Sequence, residues 1–186
     1  MNTVQCYLNS VVSVLLLLLL PSLSQPAVAL TLNFEAMLMN GTCTISLDKS
    51  TLDLGPLNSS QLKPNTLVAP QPFTLQVSGC MGETGGLTPV VKVTGDGVSQ
   101  DSRWLFRQPG SADGIGIMVF RSDFTPHYDQ EEVRNSSTYA LSNTETMPVD
   151  QNLTFYAGIS CGGPTGCASS GLGDITARLM FSFALQ

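Results

Sequence analysis

The residues that most restrict the fold lie at the C-terminal end. Ile175, Ala177, Leu179, Phe181, Phe183 and Leu185 alternate with Thr176, Arg178, Met180, Ser182, Ala184 and Gln186, the period-two pattern of a β-strand with one apolar face. Such a strand cannot stand bare at a sheet edge, because its unpaired N–H and C=O groups and its greasy face recruit another chain. The sequence therefore predicts a β fold whose final strand needs a cover, and a partner strand is the first candidate.

The other end has a different character. Met1 to Phe34 contain no Asp, Glu, Lys or Arg, and Val11 to Leu20 are apolar apart from Ser13. A hydrophobic core of about ten residues closed by Pro21 and small residues is the layout of a secretory leader, and a spanning helix needs about twenty. Residues 1–29 are expected to be removed after Ala27-Val28-Ala29, with cleavage after Ser24 as the competing site. The exported chain is then expected to keep no membrane span and to form one domain of ordinary size.

Loss of the leader takes Cys6 with it and leaves Cys43, Cys80, Cys161 and Cys167. An even number in an oxidising compartment implies two disulfides. Four cysteines allow three pairings. Cys161 and Cys167 flank the pliable loop Gly162-Gly163-Pro164-Thr165-Gly166, which leaves Cys43 and Cys80 for each other. Loop-closure entropy assigns about 4 kcal/mol to the longer bridge and about 2 kcal/mol to the shorter. The spacings do not make paired zinc knuckles and His127 is the sole histidine, so no metal site and no cofactor is expected.

The net charge is −6 with 12% charged residues. No basic stripe exists to meet phosphates, which argues against nucleic acid as a partner. Short alternating runs separated by turn clusters point instead to an all-β sandwich. These runs are Leu30 to Leu38, Cys43 to Leu47, Phe73 to Val77, Val91 to Val93, Ile115 to Val119, Leu153 to Ala157 and the terminal one. Gly55 to Pro72, with four prolines, reads as a long connection crossing between sheets.

Several of these features occur together in one known family. Cys43 follows a short alternating arm, Cys80 closes the run Phe73-Thr74-Leu75-Gln76-Val77-Ser78-Gly79, Gly114 to Phe120 form a mid-chain run, and Gly173 to Gln186 end the chain. In order and spacing this resembles the subunits of chaperone–usher fimbriae, the type 1 and P pilus family. The resemblance spans the whole sequence after the leader. It implies an incomplete immunoglobulin-like sandwich that lacks its seventh strand and is completed by a donor strand from another chain. It further implies export to the periplasm and then a place in a fimbrium on the cell surface. The implied partners are a periplasmic chaperone that first fills the groove, an outer-membrane usher, and neighbouring subunits in a head-to-tail polymer that contributes to cell adhesion.

On this resemblance residues 30–39 are the N-terminal arm and 40–186 the pilin domain. Leu30, Leu32, Phe34, Ala36 and Leu38 look like the donor strand. Ala177, Leu179, Phe181, Phe183 and Leu185, with the terminal Gln186, look like the strand that borders the groove and meets the chaperone. Three positions depart from the family pattern: Ala36 stands where the arm usually has glycine, Leu185 where an aromatic is usual, and the Cys161–Cys167 pair is additional. A minor or adaptor subunit fits these departures better than the main shaft protein. The alternative is an autonomous immunoglobulin-like module, either a single-domain adhesin or a secreted glycoprotein, that supplies all its own strands.

No catalytic reading competes with these. His127, Ser122 and Asp129 share one polar loop, and adjacency along a loop does not give triad geometry. Gly114-x-Gly116 lacks the third glycine of a nucleotide loop. Trp104 beside Leu105 and Phe106 reads as packing, and Glu131-Glu132 as a solvated loop. Asn40, Asn58, Asn135 and Asn152 each begin an Asn-x-Ser/Thr triplet, a frequent chance match in a chain rich in these residues. N-terminal sequencing of the exported protein is expected to begin at Leu30; a start at Gln25 would move cleavage to the competing site.

Overall fold

A computed structural model describes residues 41–171 and 173–186. The expected leader and the arm lie outside the described residues. The chain forms strands β1 (Thr42–Leu47), β2 (Val68–Met81), β3 (Pro89–Gly95), β4 (Gly97–Gln100), β5 (Arg103–Phe106), β6 (Gly116–Arg121), β7 (Thr138–Ala140), β8 (Gln151–Ser160) and β9 (Leu179–Leu185), with one helical turn, α1 (Pro164–Ala168). A larger sheet has the order β1-β2-β8-β6-β5-β4 and a smaller one β7-β3-β9. Every strand pair is antiparallel. This is the two-layer sandwich that the alternating runs predict.

The core lies between the inward faces. Leu75 and Val77 of β2, Phe155 of β8 and Val119 of β6 meet Val91 and Val93 of β3, all buried. Burial of each such side chain contributes roughly 1.5–3 kcal/mol, which fixes the register, because a slip of one residue would turn the whole face outward. A second apolar cluster on the outer face of the large sheet, built from Leu105, Met118 and Phe120, is covered by Leu67 and Tyr128.

Both cysteine pairs are bridged, Cys43 to Cys80 and Cys161 to Cys167. The first ties β1 to β2 where their register shifts between Thr42 and Thr44. The extra residue of β2 is absorbed there by Gly79 at φ +60°, a conformation that costs glycine little.

Three expectations from sequence are corrected, and one hairpin is added. The final alternating run begins at Ile175, yet the strand begins at Leu179, because residues 175–178 are held by the 107–113 loop rather than by β3. The connection after β1 ends at Val68 and returns to the same sheet rather than crossing. The β4–β5 hairpin, too short to show an alternation of its own, turns on Asp101 and Ser102, both at positive φ. Their backbone forms the tight two-residue turn that matches strand twist.

Glu132 is the third correction. It is only 4% exposed and is far from a solvated loop residue. Arg103 Nη1 lies 2.7 Å and Arg134 Nη2 2.8 Å from its carboxylate, and the Trp104 N–H donates to Oε1 at 3.1 Å. Adjacent Glu131 gives no sign of this in sequence, since the pairing depends on the distant Arg103. Burial raises the carboxyl pKa, but the bonds from Arg103 and backbone N–H groups and the charge of Arg134 outweigh it and hold the carboxyl below its ordinary range. Arg103 also stacks over Tyr128, 4.9 Å from the ring centre, so the cluster pins the loop after β6 to β5.

Glu132→Ala is therefore expected to cost about 3 kcal/mol in urea unfolding, the low end for breaking a buried pair because Arg134 is half exposed. A depressed folded pKa gives stability present above the unfolded carboxylate pKa and lost as pH falls through the folded value. The gap between parent and variant should accordingly narrow in acid.

Candidate functional site

The terminal strand is a sheet edge. β9 pairs with β3 from Leu179↔Gly95 to Leu185↔Pro89, and among the described residues no strand pairs with its other side. β1 occupies the corresponding edge of the large sheet, bonded to β2 alone. The two edges lie alongside each other without exchanging a ladder. Between them runs the seam of the sandwich, with β1 and the 52–62 connection on one side and residues 175–185 on the other.

The inner face of β9 is the apolar set read from sequence. Leu179, Phe181, Phe183 and Leu185 are half-buried, whereas Val91 and Val93 on the neighbouring β3 are completely buried. Ala177 packs on the same core from the irregular segment just before β9. On β1 the inward Cys43 and Ile45 are likewise half-buried. Both edge strands thus keep part of their apolar inner faces accessible, unlike β3 between β7 and β9.

Phe181 anchors β9. Its ring meets Phe155 edge-on at 5.4 Å and Phe73 at 6.0 Å, while Phe73 and Phe155 stack at 5.5 Å. Such contacts contribute about 0.5–1.5 kcal/mol each beyond area burial.

The seam is not uniform along its length. At one end the chain enters the domain at Gly41, which is buried. A Cβ there would stand 2.9 Å from the Glu83 carbonyl and 3.3 Å from both Leu185 Cδ1 and Met147 Sδ. At the other end lies a cavity of about 540 Å³. Ile115, Ile117 and Ile159 form its floor, Leu52 and Leu62 one wall, and Ile175 the other. The floor residues come from β8, β6 and the turn before β6, so the cavity is an unfilled part of the interior between the sheets.

Leu30, Leu32, Phe34, Ala36 and Leu38 lie outside the described residues. His127 is exposed on its loop, and among the described residues no three His, Cys, Asp or Glu side chains gather as a metal site would require. No helix among them is long and apolar enough to cross a membrane. The cavity, the one feature absent from the sequence reading, is signalled only by Leu52, Leu54, Leu57 and Leu62 within a stretch otherwise rich in Pro, Ser and Asn.

Phe181→Ala is expected to lower stability by about 2 kcal/mol, since the ring is only partly covered. A loss under about 0.5 kcal/mol in chemical denaturation would remove Phe181 from the core.

No family model and no curated protein matches the chain. Solved structures do. The crystal structure of the P pilus rod subunit PapA is similar at 20% identity over 77% of this chain and 99% of that one, with a TM-score of 0.50. A subunit from the structure of a chaperone–usher pilus is similar at 19% identity over 88% of this chain and 99% of that one, with a TM-score of 0.53. The chain thus has the fold of chaperone–usher pilus subunits.

Proposed function

We propose that this protein is a structural subunit of a chaperone–usher pilus, exported to the periplasm and built into a surface fimbria by donor-strand exchange. The observation that carries the proposal is the half-buried apolar face of β9, paired on one side only among the described residues and continuous with an unfilled interior. An inserted strand would hydrogen-bond to the free edge and set alternate side chains into the groove, the mode of β-augmentation.

Leu30, Leu32, Phe34, Ala36 and Leu38 supply such a strand from a neighbouring copy or subunit. Five apolar side chains would contribute on the order of 8–15 kcal/mol gross, before ordering costs. Donor and acceptor at separate places on one molecule make a heterologous contact that need not close, and so a fibre.

Before assembly the same groove would be covered by a periplasmic chaperone, with Ala177, Leu179, Phe181, Phe183, Leu185 and Gln186 as its contact strand, and the usher would exchange chaperone for arm. The role is mechanical and contributes to adhesion by carrying the fibre; no catalysis is involved.

A synthetic peptide of residues 30–39 is expected to raise the melting temperature of the purified chain by more than 10 °C. Phe34→Asp in the full chain should leave recovery on the chaperone intact and abolish incorporation into fibres. A stable monomer indifferent to the peptide would instead identify an autonomous immunoglobulin-like module and sink the pilus proposal.

A further inference from the structure

The cavity wall formed by Ser170, Gly171 and residues 173–176 has no regular secondary structure, yet it is held at several points. Gly171 donates its N–H to the Asp113 carbonyl at 3.0 Å, Ala112 donates to the Asp174 carbonyl at 3.1 Å, and Gln108 donates to the Thr176 carbonyl at 2.8 Å. Upstream the wall hangs from α1, which the Cys161–Cys167 bridge ties back to the end of β8, and the Ser170 hydroxyl donates to the Cys167 carbonyl at 3.0 Å.

That turn is gripped in its own right by the tip of the β4–β5 hairpin. Asp101 Oδ2 accepts the N–H groups of Gly163 at 2.9 Å and Gly166 at 3.0 Å, and Gln100 Nε2 donates to the Cys161 carbonyl at 3.1 Å. A Cβ on Gly166 would collide with Gln100 Nε2, and one on Gly114 with the Gly166 carbonyl, so backbones meet here with no room for side chains. Asp101 holds φ +49° and Ser102 φ +67°; non-glycine residues keep such backbone where surrounding contacts over-determine it. Neither the bridge nor the hairpin tip touches the cavity. Both act on its wall from behind.

We propose that the Asp101 carboxylate and the Cys161–Cys167 bridge are positioning groups for the groove: they fix that wall where one end of an inserted apolar strand packs against Ile115, Ile117 and Ile159. This rests on the pilus reading and adds to it what sets the grip on the strand. With either anchor removed, the wall is held from that side by the other alone, beside its bonds to the 107–113 loop, and opens locally at lower cost. The inserted strand then loses its cover at that end and leaves sooner, since changes at one interface act mainly on dissociation. The N–H of Gly166, foremost among several, also holds the Asp101 carboxyl below its ordinary range, in keeping with a carboxylate committed to this contact.

The test uses the full chain carrying Phe34→Asp, so that its own arm is silenced, with the 30–39 peptide as probe. Asp101→Asn and, separately, Cys161→Ser with Cys167→Ser are compared with that parent; Asp101→Asn leaves both bridges in place should the double variant fold poorly. Amide exchange at Gly171 and Ala112 is expected to speed up at least tenfold while Val91, Val93 and Phe155 stay protected, and peptide dissociation to speed up about tenfold. Peptides carrying Leu30→Ala or Leu38→Ala should show the effect confined to one end. Wall amides that stay protected, or a loosened wall with unchanged dissociation or with equal effects at both ends, overturn the positioning role. A peptide that fails to bind even the parent overturns the groove itself, which is a different result.

Discussion

The edge-on contact of Phe181 with Phe73 and Phe155 is what the rest of the molecule depends on. It brings the C-terminal strand of the small sheet onto β2 and β8 of the large one, and without it β9 would keep its ladder to β3 and the core contacts of Leu179 and Phe183. For a strand bonded on one side and half-covered on its inner face, that aromatic knot is the main contact between the two layers at this edge.

The two halves of the molecule illustrate different economies of stabilisation. Near Gly41 the structure is closed by direct steric fit, with a carbonyl, a leucine and a methionine around a residue that has no side chain. At the far end it is held open by a frame of hydrogen bonds and a disulfide around a space lined with branched aliphatic groups. Rigid framing of an empty apolar volume makes sense where that volume is to be filled, since an unframed one would collapse or fluctuate.

The sheets were legible in the sequence wherever one face is apolar and the other polar. Phe73 to Val77, Val91 to Val93, Leu153 to Ala157 and Leu179 to Leu185 all show that alternation, and all are strands. The cysteine pairing was legible because one pair flanks a glycine-rich loop. Elements whose form depends on partners far along the chain were not. The β4–β5 hairpin is only four residues a side, and its turn is stabilised by Gly163 and Gly166, some sixty positions away. Glu132 reads as a surface acid until Arg103 and Arg134 are seen to converge on it. Ile175 alternates faithfully with its neighbours yet stays out of the ladder, because the 107–113 loop competes for its segment. For the candidate site, the greasy edge was visible in advance; the cavity was not, since its floor and walls come from four separate stretches.

The place where the chain enters the domain has a consequence for load. A pull on the residues ahead of Gly41 arrives beside Leu185, and two residues later it meets Cys43, which is bridged to Cys80 near the end of β2. Tension therefore leaves the edge strand almost at once and passes by a covalent link into a fourteen-residue strand bonded on both sides. The load reaches β1 and β2 together through the bridge, and β2 is in turn laddered to β8 from Val68 to Val77. A fold with an open seam is in this way protected from being torn at the point where it would be gripped.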